Sequence, residues 1–318
     1  MNVLDLFCGA GGLSYGFAQH HQVVCAVDND ADALRSYRSN HVDTIVAKYP
    51  IEKLEFVRVS DRAMQLCIPG KAPWLLTLPD IVVGGPPCQG FSMAGKRFFN
   101  DPRNNLVSEF CRVVNALEPP YFLMENVKGL QINHGAVFIK QLHEKLPQYD
   151  IDVREFNAAD FGVPQKRRRV FVQGTTRGKE HISWPKPTHK GSWVPSSSVI
   201  NAPNDGHHLV FVMNSFKTTS NAPHYFLNEP AKTVTTRPQH LYQTGDWKVT
   251  HDISWKTIKE RGYHENFTKV RDLTVAEQAA LQGFPDHYIF HGGKQSQLKQ
   301  VGNAVPPSLA MAIASMFK

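Results

Sequence analysis

NVLDLFCGAGGLSYGFAQH, residues 2–20, decides the fold. Asn2–Phe7 is a short apolar run, Gly9, Gly11 and Gly12 break it, and Leu13–His20 suits a helix. Val23–Val27 then reads as a second strand, ending in Asp28. Strand, glycine turn, helix and strand within 28 residues is the opening of a parallel unit. Glycine lets a backbone approach a ligand closely, and a helix N-terminus favours electronegative groups. An acidic residue closing the second strand is well placed for a ribose diol. This grammar is shared by nicotinamide and S-adenosylmethionine sites. Gly9, Gly11, Gly12 and Ser14 fit GxGxxG imperfectly, so a tight structural turn remains open on this evidence.

The alternation continues outward. Asp30–Asn40 reads as a helix with Ala33, Leu34 and Tyr37 on one face, and Asp80–Val83 as a buried strand ended by Gly84-Gly85-Pro86-Pro87. Asn105–Leu117 is helical, Tyr121–Glu125 a strand, Val137–Leu146 a helix and Val170–Gly174 a strand. The pattern predicts an α/β fold with a mostly parallel sheet covered on both faces. After about residue 185 the texture changes. Residues 186–271 are rich in Pro, Ser, Thr, Asn and His, with short strand-like pieces such as His208–Met213. Helical patterning returns over Thr274–Gln282 and Ser308–Phe317. The expected organisation is a domain of residues 1–185, completed by 272–318, with a smaller irregular module at 186–271. No internal repeat is visible.

The chain has 318 residues, 42% of them hydrophobic and 20% charged, which excludes disordered and fibrous classes. No apolar run approaches the ~18 residues of a membrane span. Met1 leads directly into a strand pattern, so a secretory signal is not expected and a cytoplasmic location is. The net charge of +7 leans towards a polyanionic partner. Residues 186–271 hold 11 Lys and Arg against 6 Asp and Glu, so +5 of that balance sits in the irregular module. The five cysteines (Cys8, Cys25, Cys67, Cys88 and Cys111) show neither paired nor zinc spacing, which argues against a disulfide framework and a metal site.

One cysteine differs from the rest. In GGPPCQGFS, 84–92, two glycines and two prolines fix a turn after a buried strand, and Cys88 follows at the sheet's carboxyl edge. Ligands bind at that edge in such folds, so Cys88 is better read as a nucleophile than as core. In MENVKGL, 124–130, Glu125 ends an apolar strand; a solvated carboxylate and a general acid are both open. In QKRRRVF, 165–171, strand alternation would put Arg167 and Arg169 on one side, facing one cleft, and Arg168 on the other. A basic run is usually a solvated face.

These segments in this order resemble the cytosine carbon-5 DNA methyltransferases of bacterial restriction-modification type. The resemblance rests on DLFCGAGGLS, GGPPCQGFS, DPRNNL (101–106), ENV (125–127), QKRRR, RDLTVAEQAALQGFP (271–285) and QVGNAVPP (300–307). It runs through the chain except the basic module, which in this family is the target-recognition domain. It implies an S-adenosylmethionine-dependent, Rossmann-like fold and a sequence-specific enzyme that flips a cytosine out of duplex DNA. Cys88 would add to carbon-6, Glu125 would hold or protonate N3, Arg169 would hold the carbonyl at position 2, and Arg167 would support the nucleophile loop. Asn126 and Gln165 would organise these side chains.

For the cofactor the resemblance implies Phe7, Gly9, Gly11, Gly12, Leu13 and Asp28, with Pro87 and Leu106 near the adenine and Asn303 and Val305 near the methionine end. S-adenosylhomocysteine would be the product, and no metal is implied. The acidic residue the family carries on its third strand has no counterpart in VAKYPIEKL, 46–54, and no residue is assigned to that contact. On the DNA side, Gln89 and Ser92 would belong to a loop, 89–100, that closes over the flipped base. EPAKTVTTRPQH, 229–240, resembles the Thr-Val element that precedes base-reading residues, which makes Arg237, Gln239 and His240 candidates for the major groove. Lys217, Lys232, Lys248 and Lys256 suit phosphate contacts. A monomer is expected because one chain carries every motif, and the lack of an extension before Asp5 suits a stand-alone enzyme with a cognate restriction endonuclease as genetic partner. Three rival readings are weighed against this one. An RNA-acting relative would carry a shorter insert and a Cys-Phe-Thr element, which is missing. A binder without activity would not need Cys88, Glu125 and Arg169 together. A nicotinamide oxidoreductase has no use for the Pro-Cys loop.

Overall fold

The apolar runs of the first 175 residues become strands buried on both faces, as parallel pairing demands. A computed structural model describes residues 1–87, 105–127, 135–180, 182–203, 207–211, 224–244, 257, 260 and 267–317. The chain forms two units: Met1–Phe156 with Arg168–Pro185 and Ala310–Lys318, and Asn157–Arg167 with Lys186–Leu309.

In the first unit the strands are β1 (Asn2–Leu6), β2 (Gln22–Asp28), β3 (Ile45–Lys48), β4 (Glu55–Arg58), β5 (Ala63–Cys67), β6 (Trp74–Thr77), β7 (Ile81–Gly84), β8 (Tyr121–Val127) and β9 (Tyr149–Asn157). β10 (Gln165–Lys166) lies in the second unit, and β11 (Arg168–Thr176) returns to the first. Seven of them form the main sheet in the order β3-β2-β1-β7-β8-β11-β9. β1, β2, β3, β7 and β8 pair in parallel, and β11 is antiparallel to β8. From β1 the order runs one way through β2 to β3 and the other way through β7 to β8, so the turns after β1 and β7 adjoin at the carboxyl edge. Such a reversal is where α/β sheets hold ligands.

Helices α1 (Gly12–Phe17), α2 (Ala31–Asn40), α3 (Asn105–Leu117) and α4 (Gly135–Lys145) connect these strands. Asp30 caps α2 by accepting from the Asp32 and Ala33 amides. The buried stripe of α3, Phe110, Val113, Val114 and Leu117, joins Phe122, Leu142 and Tyr149 in the core. Gly174 is needed there, because a Cβ would overlap the Phe122 ring. Gly16 likewise lets α1 lie directly on the backbone at Ala310 and Met311. The antiparallel meander β4-β5-β6 was not expected from the sequence. Its strands bury only alternate residues (Phe56, Met64, Leu66, Leu76), a pattern too short to stand out.

The second unit turns the irregular module into a sheet. β12 (His208–Phe211), β13 (His224–Phe226), β15 (His240–Gln243) and β16 (Thr268–Asp272) pair antiparallel in the order β13-β12-β15-β16. β14 (Ala231–Lys232) instead pairs in parallel with β10. Leu209, Val210, Tyr225, Leu241 and Tyr242 form the interior. Helix α5 (Val275–Leu281) opens with a capping box between Thr274 and Glu277, and Arg271 grips the Glu277 carboxylate with two bonds of 2.7 Å. Helices α6 (Lys294–Asn303) and α7 (Pro307–Ala314) follow. The second unit is wider than residues 186–271, because Gln165 and Arg167 bond to residues 234, 281, 282, 302 and 304.

Candidate active site

The glycine turn after β1 has a backbone that few side chains tolerate. Phe7 has φ 61°, Gly9 φ 53° and Gly11, the residue before α1, φ 96°. A non-glycine residue there stores about 1–3 kcal/mol, a cost usually met at ligand sites. The Gly9 amide donates to Asp28 Oδ2 at 2.8 Å, and the Asp30 amide donates to Asp28 Oδ1 at 2.8 Å. Burial raises the Asp28 carboxyl above its usual range, and the Asp30, Gly9 and Asn29 amides pull it back. Each carboxylate oxygen retains acceptor capacity for a hydroxyl. A Cβ on Gly9 would meet nothing within 4 Å, so the turn faces open space. Open backbone, half-buried Phe7 and a carboxylate with two acceptor oxygens fit a ribose and the plane of a base. The Tyr49 amide donates to the Asp28 carbonyl at 3.1 Å, which places Tyr49-Pro50, with no acidic side chain, just past β3.

Beneath the turn lies a network that the sequence reading missed. The Tyr37 hydroxyl donates to Ser14 Oγ at 2.7 Å, and Ser14 Oγ donates to Asp5 Oδ2 at 2.5 Å. All three side chains are buried, and Asp5 Oδ1 has no hydrogen-bond partner among the described residues. Burial pushes the Asp5 carboxyl up to about 7, against the pull of Ser14. His41 stacks on Tyr37 with centroids 4.3 Å apart, and burial lowers its imidazole to about 4. The available signal was an aspartate inside an otherwise apolar strand.

On the far side of the reversal, register places Gly84 opposite Met124, so Glu125 stands one residue beyond the end of β7. Arg169 Nε donates to Glu125 Oε1 at 2.9 Å, and both side chains are nearly buried (13% and 11% exposed). Arg169 Nη1 also donates to the Arg168 carbonyl at 2.7 Å. Burial lowers the Arg169 pKa, and the Glu125 side chain beside it pulls the other way. Gly85 abuts the pair: a Cβ on it would stand 3.1 Å from Glu125 Oε2. Asn126 Nδ2 donates to the Pro86 carbonyl at 3.3 Å. The root of the Pro-Cys turn is therefore anchored beside a carboxylate and a guanidinium. Cys88, Gln89, Ser92 and the loop 89–100 lie outside the described residues, as do Lys217, Lys248 and Lys256.

The remaining candidates separate. Pro87 is exposed, Leu106 is half-buried against the core, and Gly11, Gly12 and Leu13 are buried. Asn303 is the exposed last residue of α6, and Val305 is buried. Arg167 does not follow the strand alternation expected of it. It lies between β10 and β11, and its guanidinium, 1% exposed, donates to the carbonyls of Val234, Gly302 and Ala304 rather than facing a cleft. Two expected base-reading side chains are inside. Gln239 is fully buried and accepts from the Tyr225 hydroxyl at 2.6 Å, and His240 Nδ1 sits 2.7 Å from Asp272 Oδ1. The Asp272 carboxyl is held down at about 2, chiefly by Lys269. Arg237 is exposed, as is Lys232. Among the described residues no group of His, Cys, Asp and Glu is arranged to hold a metal.

Comparisons with known proteins agree on one family. Residues 1–318 match the sequence profile of the C-5 cytosine-specific DNA methylases. A Type II methyltransferase of Haemophilus parahaemolyticus is 34% identical over 99% of this chain and 86% of its own length. Another, from Xanthomonas oryzae pv. oryzae, is 31% identical over 99% of this chain and 84% of its own. Among solved structures, the Dnmt2 methyltransferase of S. pombe superposes with a TM-score of 0.67 at 16% identity, covering 99% of this chain and 97% of that one. A DNA modification methyltransferase encoded in an E. coli prophage gives 0.64 at 22% identity, with 99% and 97% covered. At these identities the two structures speak for the fold alone.

Proposed function

From the premise that this chain belongs to the C-5 cytosine-specific DNA methylase family and is a DNA cytosine-5-methyltransferase, we propose how its residues divide the reaction. The observation that carries the proposal is the Glu125–Arg169 pair at the sheet edge, with Gly85 at the root of the Pro-Cys turn packed against it. Bound S-adenosylmethionine supplies a methyl group made electrophilic by its sulfonium. Phe7, Gly9 and the turn to Leu13 hold that cofactor, and Asp28 accepts from its ribose hydroxyls; the open face of Gly9 and the two acceptor oxygens support this assignment. Pro87, Leu106, Asn303 and Val305 are assigned to it on the family motifs.

Cytosine carbon-5 is too weak a nucleophile to take the methyl unaided. The target base leaves the helical stack, at about a few kcal/mol of unstacking. The Cys88 thiolate adds to carbon-6, and the electron pair of the 5,6 double bond becomes available at carbon-5. Glu125 holds or protonates N3, so that negative charge does not build up on the ring, and Arg169 holds the oxygen at position 2. Asn126 keeps Pro86, two residues before the nucleophile, in place. Once carbon-5 is methylated, its proton passes to water, Cys88 leaves as the thiolate and any proton gained at N3 returns to Glu125, which restores the ring.

Gln89 and Ser92 belong to the loop that closes on the base, Arg237 reads a base edge, and Lys232 contacts phosphate. The enzyme acts as a cytoplasmic monomer on duplex DNA and protects it from a cognate restriction endonuclease; the Type II relatives support that setting. Labelled methyl from S-adenosylmethionine should appear as 5-methylcytosine at one short sequence when expressing cells are read by bisulfite sequencing. Label entering tRNA and not duplex DNA would select the RNA-acting alternative. Sequence-specific DNA binding with no transfer would leave a recognition protein without activity.

A further inference from the structure

Gln165 and Arg167 converge on one short stretch of backbone. β10 pairs with β14, Gln165 opposite Ala231 and Lys166 opposite Lys232. The Thr233 hydroxyl donates to the Lys166 carbonyl at 3.0 Å. Both polar groups of Val234 are then taken: its amide donates to Gln165 Oε1 at 2.7 Å, and its carbonyl accepts from Arg167 Nη1 at 3.1 Å. Gln165 Nε2 continues to the Leu281 carbonyl and Gln282 Oε1, and Gln282 Nε2 donates to the Ala304 carbonyl at 2.6 Å. Arg167 Nη2 reaches the Gly302 carbonyl at 2.9 Å and the Ala304 carbonyl at 3.0 Å.

The next residues are held from the other side. Gly302 lies so close to Thr235 and Thr236 that a Cβ would overlap their backbone, and Gln295 Nε2 donates to the Thr236 carbonyl at 3.0 Å. Arg237 is exposed immediately beyond these contacts. A guanidinium suits the central position, because its planar fork can reach separate carbonyls at once, whereas an ammonium is a single point of charge.

We propose that Arg167 is a positioning residue for sequence reading: it fixes the Val234–Thr236 backbone from which Arg237 projects, and ties it to the Gly302–Ala304 segment. This rests on the reading of residues 235–237 as part of the DNA-reading surface. Loss of Arg167 therefore blurs discrimination between DNA sequences.

The test compares Arg167→Lys, Gln295→Ala and Arg237→Ala by KM for DNA, by methylation of sites one base removed from the preferred one, and by the dissociation constant of S-adenosylmethionine without DNA. Arg167→Lys should raise KM for DNA and the relative methylation of near-sites by about tenfold each, the scale of one misread base pair. Its cofactor affinity reports separately on the Gly302–Ala304 segment, which carries Asn303. Gln295→Ala removes one bond to the same turn and should shift site preference in the same direction by about two- to threefold. If Arg167→Lys loses turnover at saturating DNA while KM and preference stay as in the parent, the residue serves the nucleophile loop and the proposal is wrong. Should Arg167→Lys fail to fold, Gln295→Ala decides alone, and unchanged preference overturns the proposal. Arg237→Ala separates the premise from the inference. If it leaves preference intact while the other two variants shift it, the base-reading role of Arg237 fails and the positioning role of Arg167 stands.

Discussion

At the β8–β11 edge Arg169 faces a carboxylate; two residues earlier, in the second unit, Arg167 faces three backbone carbonyls. The two guanidiniums are alike in charge and differ in what their partners can do. A carboxylate can take up and release a proton, so the Glu125–Arg169 pair can respond to a ring whose charge changes during reaction. A carbonyl cannot, so the Arg167 cluster can only hold backbone. Burial follows the same division: Arg169 keeps part of its surface accessible, whereas Arg167 is almost sealed. On the proposed reading, one basic run contributes a group for chemistry and a group for placement.

The largest expected effect comes from the chemical side. Glu125→Ala should lower kcat about 10²- to 10⁴-fold at saturating DNA and cofactor, the range for a lost general acid. The check is incorporation of labelled methyl at equal folded concentration. A loss below about threefold would erase the distinction between the two arginine environments.

Asp5 gives the next effect, on stability. Its folded pKa of about 7 lies above its ordinary 3.8. The stability it contributes is fully present below the unfolded value and is lost as pH rises through about 7. Asp5→Asn should therefore gain in unfolding free energy on the parent between about pH 4 and pH 8, by up to a few kcal/mol, read from denaturant unfolding at each pH. His41, lowered to about 4, works in the opposite sense, its contribution fading as pH falls. The difference between Asp5→Asn and the parent cancels that background. A difference independent of pH would remove Asp5 as a titrating group.

The smallest effect sharpens the placement side. Gln239→Leu leaves the buried Tyr225 hydroxyl without its acceptor and should cost about 1–3 kcal/mol of stability. Site preference should not move, because Gln239 is sealed inside. Altered preference at unchanged stability would return Gln239 to the groove.

Local pattern explains why one region was readable and the other was not. β2 and β7 are apolar runs closed by Asp28 and Gly84, and β1 is apolar apart from Asn2 and Asp5, so the sheet, its carboxyl edge and the candidates Asp28 and Glu125 could be inferred from neighbours in the chain. The Asp5–Ser14–Tyr37 network spans three elements, and its one local sign is an aspartate inside an otherwise apolar strand. Gln239 and His240 read as polar and available because nothing adjacent announces Tyr225 or Asp272 as their partners. Arg167 was misjudged by strand alternation, since a break in the strand turns it towards carbonyls dozens of residues away.

In the proposed reaction Cys88 makes a covalent bond to the cytosine whose ring is held by Glu125 and Arg169. Duplex DNA carrying 5-fluorocytosine at the preferred site tests it, because fluorine cannot leave carbon-5 as a proton does and the thioether persists. With S-adenosylmethionine present, intact-mass measurement should show one enzyme–DNA adduct, mapped by peptide analysis to Cys88 and missing in Cys88→Ser. An adduct on another residue, or continued methylation of normal DNA by Cys88→Ser, would rule out Cys88 as the nucleophile.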